Sequence, residues 1–472
     1  MDRRIRNDWP RNQGGILRNK ELRLFLISLL LWAGLMASAW AQEGLLPPPG
    51  KPLTLEQCVA IAVKIHPALA ANQATVDANK ALVEQALSAY YPQVNFNTSD
   101  SAFTTNFSTS PISNPGGGAI GVPSGGGRSR YSWTYTNVFS TGPTASMTLW
   151  DFGRTPNNVR INRENVKASQ EDLVNTKQTV ILNVKTAFYG VLQTQYLIDV
   201  AQDTVNQTQL HLDQAQGFFQ AGTQPKIYVT NAEVALANAQ LALIQTRNNY
   251  SVAQVTLNNA MGLRQDLNFE VEKKIEIAPK VTPLEEILQT AYEKRPEILK
   301  LKAQQSSQDA AIRLAKDSYY PILSGNASFL LRSTGVDLNQ NFFWDNFVSA
   351  QLSIPIFSGF LSPGQVSQQR AIMMNLKAQE ESTRQNIRLE AEQAYLGLKV
   401  AIEQMAVTQK TVEQAKENYD LASGRYQVGV GSPLEITDAE TSLANARANY
   451  IQAVYNYKTA EARIEKAMGV NR

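Results

Sequence analysis

The chain of 472 residues carries 44 lysine and arginine residues against 41 aspartate and glutamate residues, a formal charge of +3. Seven of the basic and three of the acidic residues lie before residue 42, so the remaining chain is near neutrality, at about −1. The basic isoelectric point is therefore no argument for a nucleic-acid partner, and the single cysteine, Cys58, excludes an internal disulfide.

Residues 1–41 read as a secretory signal peptide: basic residues up to Arg23, an apolar run from Leu24 to Ala37, and an Ala39-Trp40-Ala41 cleavage site before Gln42. The run is short of the roughly 20 apolar residues that a spanning helix needs. After Gln42 no segment is expected to be apolar enough to cross a membrane as a helix, so any crossing falls to strands. Cys58 is expected as a small buried residue of an N-terminal amphipathic helix. No cysteine stands at the cleavage site to carry a lipid.

The first structural repeat spans 42–263. Strands are predicted at about 92–105 and 130–152 from period-two alternation: Val94, Phe96 and Thr98 against Asn95, Asn97 and Ser99, then Ala145, Met147 and Leu149 against Thr144, Ser146 and Thr148. The Gly/Pro/Ser-rich stretch from Asn106 to Arg130 reads as an exposed loop. A long helical hairpin is predicted over 157–262. Its first arm holds no proline from Asn157 to Gln220, which gives roughly 95 Å at a rise of about 1.5 Å per residue. Gly217 to Pro225 punctuate its tip. The second arm carries heptads, with Val229, Leu236, Leu243, Tyr250 and Leu257 each followed three residues later by Ala232, Ala239, Thr246, Ala253 and Ala260. Small residues at one seam position let two helices approach closely, and a seven-residue period demands supercoiling. A second stripe (Val234, Leu241, Val255) lies on another face, as in a helix with neighbours on both sides.

A connecting segment at 264–283 leads to the second repeat, 284–472, with strands at about 321–332 and 343–360 and a hairpin at 364–469. Ala187-Phe188-Tyr189-Gly190 recurs as Ala394-Tyr395-Leu396-Gly397, and Ala260-Met261-Gly262-Leu263 as Ala467-Met468-Gly469-Val470, both displaced by 207 positions. Pro67 and Tyr90-Tyr91-Pro92 recur as Pro296 and Tyr319-Tyr320-Pro321 at a displacement of 229. An unslipped register is what long helices impose, since one inserted residue rotates every later side chain by about 100°. The alanine seam also recurs, as Ile436, Leu443, Tyr450, Tyr457 and Ile464 with Ala439, Ala446, Ala453, Ala460 and Ala467.

Small polar residues on one strand face and apolar residues on the other suit a barrel with a wet lumen. Aromatics cluster at both strand ends: Tyr90, Tyr91, Trp150, Phe152, Tyr319, Tyr320 and Phe357 at one, Tyr131, Trp133, Tyr135, Phe342, Phe343 and Trp344 at the other. Four strands cannot close a barrel with an open lumen, so several chains must share one, and the physics permits two, three or four. The expected fold is mainly α, with internally duplicated long hairpins and a membrane β-barrel part.

The duplicated plan, the Tyr-Tyr-Pro lead-ins, the strand exits Trp150-Asp151-Phe152-Gly153 and Phe357-Ser358-Gly359, and the tip Arg425-Tyr426-Gln427-Val428-Gly429 together resemble the outer membrane efflux protein family, the TolC-like channels, over residues 53–470. The resemblance implies a homotrimer in the bacterial outer membrane, with one shared twelve-stranded barrel embedded in lipid and a periplasmic α-helical barrel. It implies docking onto a periplasmic adaptor (membrane fusion) protein and an inner-membrane transporter of RND, ABC or MFS type, in a tripartite efflux pump or a type I secretion system. The docking tips would include Phe219, Gly222, Tyr426 and Gly429. Acidic residues that ring the periplasmic aperture in the family match Glu435 and Asp438, and three copies would set six carboxylates around the hole. The family's tip arginine and its aspartate partner are replaced here by Gly431 and Tyr228.

Other signals carry no chemistry. Gly116-Gly117-Gly118-Ala119-Ile120-Gly121 has dinucleotide-binding spacing without the strand and helix that motif needs. His66 and His211 with one cysteine make no conventional zinc site, and His66 reads as an exposed helix-boundary residue before Pro67. No catalytic residue, metal site or cofactor is expected. A periplasmic coiled-coil adaptor would share the hairpins but lack two strand pairs with aromatic girdles, and a passive porin would have no need of such long helices. The cargo is not encoded in any recognisable pocket.

Overall fold

The computed structural model describes residues 52–107, 132–263, 270–273, 277, 282–336 and 341–470. The signal peptide, the glycine-rich loop, Tyr131 and much of the 264–283 connection lie outside these residues. Two compact units divide the chain: Ala71–Asn175 with Tyr292–Leu389, and Met1–Ala70 with Thr176–Ala291 and Glu390–Arg472. Two 67-residue helices, α3 (Arg154–Gln220) and α7 (Leu361–Gln427), contribute residues to both.

In the strand-bearing unit, β1 (Gln93–Phe107), β2 (Ser132–Trp150), β3 (Ile322–Val336) and β4 (Asn341–Ser353) form one antiparallel sheet in the order β1-β2-β3-β4. Each repeat supplies one hairpin. Directly opposed residues share a face. Val94, Ala145, Ala327 and Val348 therefore form an apolar row, and Gln93, Ser146, Asn326 and Ser349 the neighbouring polar row on the other face. Cross-strand bonds knit the polar face: Asn97 Nδ2 donates to Thr144 Oγ1 at 2.9 Å, and Arg332 pairs with Asp345 at 3.0 Å. Val94, Phe96, Val348 and Leu352 are exposed on the apolar face.

The aromatic clusters differ from the expected ones in membership. Phe342 and Trp344 are joined by Phe139 (6.1 Å from Phe342, edge-on) and Phe329 (stacked on Trp344 at 4.7 Å). Phe343 opposes Arg332 and so belongs to the polar face, a consequence of strand alternation that end-of-strand clustering ignores. Phe139 and Trp150 stand eleven positions apart on β2, about 25 Å in height at the roughly 45° tilt of membrane strands. That is the height of a lipid-facing band.

Element ends also correct the sequence reading. The last strand stops at Ser353, not near 360, because Pro355 cannot donate to the ladder. The long helices start three residues earlier than expected, at Arg154 and Leu361; Pro156 and Pro363 fall in their first turns, where a missing N–H costs nothing. Helices α2 (Pro67–Leu87) and α6 (Pro296–Lys316), the latter preceded by α5 (Leu284–Lys294), each end in a 3₁₀ turn followed by an extended tyrosine, Tyr91 or Tyr320, the conformation that the following proline enforces.

The bend from strand to long helix carries two consecutive positive-φ residues in both repeats: Phe152 (55°) and Gly153 (110°), then Gly359 (60°) and Phe360 (66°). A left-handed phenylalanine costs roughly 1–2 kcal/mol, and packing must hold it. Phe152 stacks on Tyr320 at 5.7 Å and meets Trp150 edge-on at 6.0 Å. Asp151 accepts from the Gly153 and Thr155 amides at 3.2 and 2.6 Å, while Arg154 donates to the carbonyls of Asp317 and Tyr320 at 3.1 and 3.3 Å. Buried Asp317 accepts from Asn157 Nδ2 at 2.6 Å, tying the first repeat's strand exit to the second repeat's lead-in.

In the other unit, α1 (Leu55–Ile65) starts with a Thr54–Gln57 capping box, and Leu53 bridges to Val271. Cys58 is fully buried in α1 as expected, and burial pushes its thiol up to about 12. His66 is half-buried rather than exposed; its Nδ1 accepts from the Ala68 amide at 3.2 Å, and burial lowers its pKa. The two second arms are α4 (Lys226–Met261) and α8 (Pro433–Ala467). Along α8 the large positions Ile436, Leu443, Tyr457 and Ile464 and the alanines 439, 446, 453, 460 and 467 are all buried. Against α3, Lys185 pairs with Glu465, and Arg447 with Asp203 at 3.4 Å. The second stripe of α4 (Val234, Leu241, Val255) is exposed. Contrary to expectation, α4 is long and apolar enough to pass a length-and-composition test for a membrane span. Its alanine seam and bare aliphatic stripe raise the mean hydropathy, while Glu233 and Arg247 interrupt it.

Replacing Ala446 or Ala453 with leucine is expected to cost about 1–3 kcal/mol per site through overpacking. Thermal unfolding of the purified protein measures this, and wild-type stability in both variants would place the close-packed seam elsewhere.

Candidate functional site: the hairpin tips

The α3–α4 tip closes with the Ala221, Gly222 and Thr223 amides donating to the carbonyls of Gly217, Phe219 and Phe218, each at 3.0 Å. The α7–α8 tip repeats this: Gly429 donates to Tyr426 O and Val430 to Arg425 O, both at 3.0 Å. Gly222 (φ 73°) and Gly429 (φ 76°) take the left-handed conformation that ends each helix. Ser432 then caps α8, accepting from the Leu434 amide at 3.2 Å, with Pro433 in the first turn.

Gly431 is held by a close approach. Its amide donates to Arg425 O at 2.9 Å, and a Cβ there would lie 2.7 Å from the Tyr426 amide nitrogen. An arginine at this position is incompatible with this tip backbone. The pairing that is present joins Arg425 Nε to Glu435 Oε2 at 3.7 Å, with both side chains largely exposed, so it is worth at most about 1 kcal/mol. Asp438, one turn further on, is exposed.

Phe219 is 44% exposed, and Val428, Val430 and Leu434 are more so. Tyr426, expected among the docking side chains, is only 2% exposed. Its ring packs edge-on against Phe218 at 5.7 Å and His211 at 6.3 Å, so it builds the tip and offers only its backbone to a partner. Sequence reading also passed over Glu440, which sits beside the seam residue Ala439 and is buried against His211. A carboxylate flanking an alanine seam, with a histidine near the end of the partner helix, was the available signal.

A profile of the outer membrane efflux proteins matches residues 60–263 and 287–470. The chain belongs to this family. It is 25% identical over 309 residues to the outer membrane protein TolC of Escherichia coli K12, a match covering 62% of each chain and so less than two thirds of TolC. It is also 25% identical over 362 residues to the cation efflux system protein CusC of the same strain, covering 71% of this chain and 73% of CusC. Among solved structures, the Campylobacter jejuni CmeC outer membrane channel superimposes with a TM-score of 0.70 at 18% identity, over 88% of this chain and 85% of that one. The open-state MtrE channel of Neisseria gonorrhoeae gives 0.69 at 17%, over 88% of each. These establish the fold: long helical hairpins of an α-barrel with strands that contribute to a shared outer-membrane β-barrel. As a member of the efflux family the protein resides in the bacterial outer membrane with a periplasmic helical part. Family members are channels, not enzymes.

Gly431→Ala is expected to destabilise the α7–α8 tip by about 1–3 kcal/mol, because the new Cβ meets backbone that cannot yield cheaply. Limited proteolysis should nick residues 425–433 faster in this variant while the mass of the assembly is unchanged; unaltered cleavage contradicts the close approach.

Proposed function

We propose that the protein is the outer-membrane channel of a tripartite efflux pump or type I secretion system, a conduit without catalytic activity. The observation that carries this reading is the sheet: one apolar face, one hydrogen-bonded polar face, and two strands, β1 and β4, whose outer edges are unpaired among the described residues. In a bilayer such edges must pair. Three copies give twelve strands around a polar lumen, the family's homotrimer. The exposed stripe of α4 and the exposed Leu389, Leu396, Val400 and Val407 of α7 supply separate apolar faces for neighbouring copies. A periplasmic adaptor alone would have no use for a sheet with an apolar exterior.

The tips are the proposed docking surface for a periplasmic adaptor, through Phe219 and the exposed Val428 and Val430, with Gly222 and Gly429 shaping the turns. An inner-membrane transporter of RND, ABC or MFS type would complete the export path. Glu435 and Asp438 are the proposed aperture ring. Because Arg425 faces Glu435, each chain would bring about one net negative charge to the ring rather than two.

Mass measurement of the mature protein in detergent is expected to give a trimer; a stable monomer overturns the shared barrel. In planar bilayers, multivalent cations should block the current, less so at higher salt. Glu435→Gln with Asp438→Asn should raise the half-blocking concentration roughly tenfold, about 1.4 kcal/mol, whereas Arg425→Gln should lower it. An unchanged block in the double variant returns both carboxylates to the role of a solvated helix start.

A further inference from the structure

A buried acid–base pair lies beside the tips, where α3, α7 and α8 meet. His211 of α3 and Glu440 of α8 are 8% and 4% exposed, and His211 Nε2 stands 3.8 Å from Glu440 Oε2, too long for a hydrogen bond. Among the described residues, His211 Nε2 and Glu440 Oε1 have no hydrogen-bond partner. The other imidazole nitrogen, Nδ1, faces Gln214 Oε1 at 3.4 Å; with Nδ1–H donating there, Nε2 presents a lone pair towards the carboxyl. From α7, the rings of Tyr419 and Tyr426 cover the imidazole edge-on at 6.4 and 6.3 Å.

The other charged groups do not neutralise the pair. Arg447 of α8 is engaged by Asp203 of α3 at 3.4 Å. Asp420 of α7 acts on Tyr419, as Glu440 itself does, and Tyr228 of α4 acts on Tyr426. Burial is what governs Glu440, with no compensating cation among the described residues. The pair therefore balances its charge only when it holds one proton between its two members.

We propose that His211 and Glu440 form a protonation latch that fastens the start of α8 to α3 and α7: one shared proton keeps the junction closed, and losing it or gaining a second opens it. Without the proton a bare carboxylate is buried beside a neutral imidazole. With two, an imidazolium faces a carboxylic acid. Either state leaves a net charge buried, which is costly, and opening returns it to water.

The titration directions agree. Burial pushes the Glu440 carboxyl up to about 7, so between the ordinary carboxylate range and that value the closed junction binds a proton that the open one releases. Glu440 by itself thus weakens closure as pH rises through this window and leaves it weakened above. Burial lowers the His211 pKa below its usual 6.5, so the open junction takes up a proton first as pH falls, and closure weakens again on the acid side. Between the ordinary carboxylate range and about 6.5 the open and closed junctions hold the same number of protons and the two effects cancel, so closure is tightest there and weakens above it as Glu440 loses its proton. The latch is a property of the hairpins and does not depend on what the protein transports.

Hydrogen exchange on the intact detergent-purified protein tests it, with rates corrected for intrinsic pH dependence. Peptides over 205–220 and 433–445 should exchange about twofold faster at about pH 8.5 than at about pH 6.5, and Glu440→Gln, which keeps the shape without the charge, should abolish or reverse this acceleration. A pH-independent wild-type profile, or an unchanged dependence in Glu440→Gln, overturns the proposal. If that variant fails to assemble, the wild-type protein decides by infrared spectroscopy. A protonated-carboxyl band persisting at about pH 6 and lost on alkalinisation in step with the exchange supports the latch; its absence at that pH overturns it.

Discussion

The structure depends on the need to satisfy backbone hydrogen bonds at the two edges of a four-stranded sheet. β1 and β4 each present an outer row of N–H and C=O groups with no partner strand among the described residues, and in hydrocarbon each unmet group costs several kcal/mol. Water cannot help on an apolar face that exposes Val94, Phe96, Val348 and Leu352. β1 and β4 are different strands, so joining one chain to the next is a heterologous contact, and closure into a ring is what stops it from propagating. Oligomerisation is thus a condition for the strand-bearing unit to exist in a membrane.

Closure places demands on the bends that follow the strands. Two repeats must turn from strand to helix in equivalent ways although their sequences there differ. The backbone solution is shared, two successive positive-φ residues, but the glycine and phenylalanine exchange places, Phe152-Gly153 against Gly359-Phe360. The side-chain support differs as well. The first bend is tied by Asp151, Arg154 and buried Asp317; in the second, Ser358 meets Ser362 at 3.2 Å and Phe360 meets Phe357 edge-on at 5.8 Å. Duplication conserved the geometry and left the chemistry free to diverge.

Periodicity made much of this legible from sequence. Alternation in Val94-Asn95-Phe96-Asn97 and the large-then-alanine heptads of α8 report burial directly, because pleat and helix repeat at fixed intervals. What escaped the reading depends on contacts between distant segments. Phe343 looked like a girdle residue by position, but its pairing with Arg332 assigns it to the polar face. Tyr426 looked like an exposed tip aromatic, yet His211 and Phe218 of the other hairpin enclose it. The long helices begin three residues before Asn157 and Gly364 because Pro156 and Pro363 sit in first turns, where proline is tolerated. The Asp317 joint joins residues more than 150 positions apart, which no local pattern announces.

The tips combine two electrostatic regimes with different sensitivities. Arg425 and Glu435 face each other in solvent, where pairing is weak and salt screens it. Glu440 lies less than two turns further along α8, buried beside His211, which two tyrosine rings cover, where screening is poor and a single proton decides whether net charge is buried. An exposed pair of this kind holds little. A buried pair fixes helix to helix, at the cost of tying that junction to proton concentration. Since α8 supplies both Glu435 and Glu440 within its first two turns, movement at the buried pair would carry the exposed carboxylate with it. Salt is therefore a probe of the rim, and pH a probe of the joint beneath it.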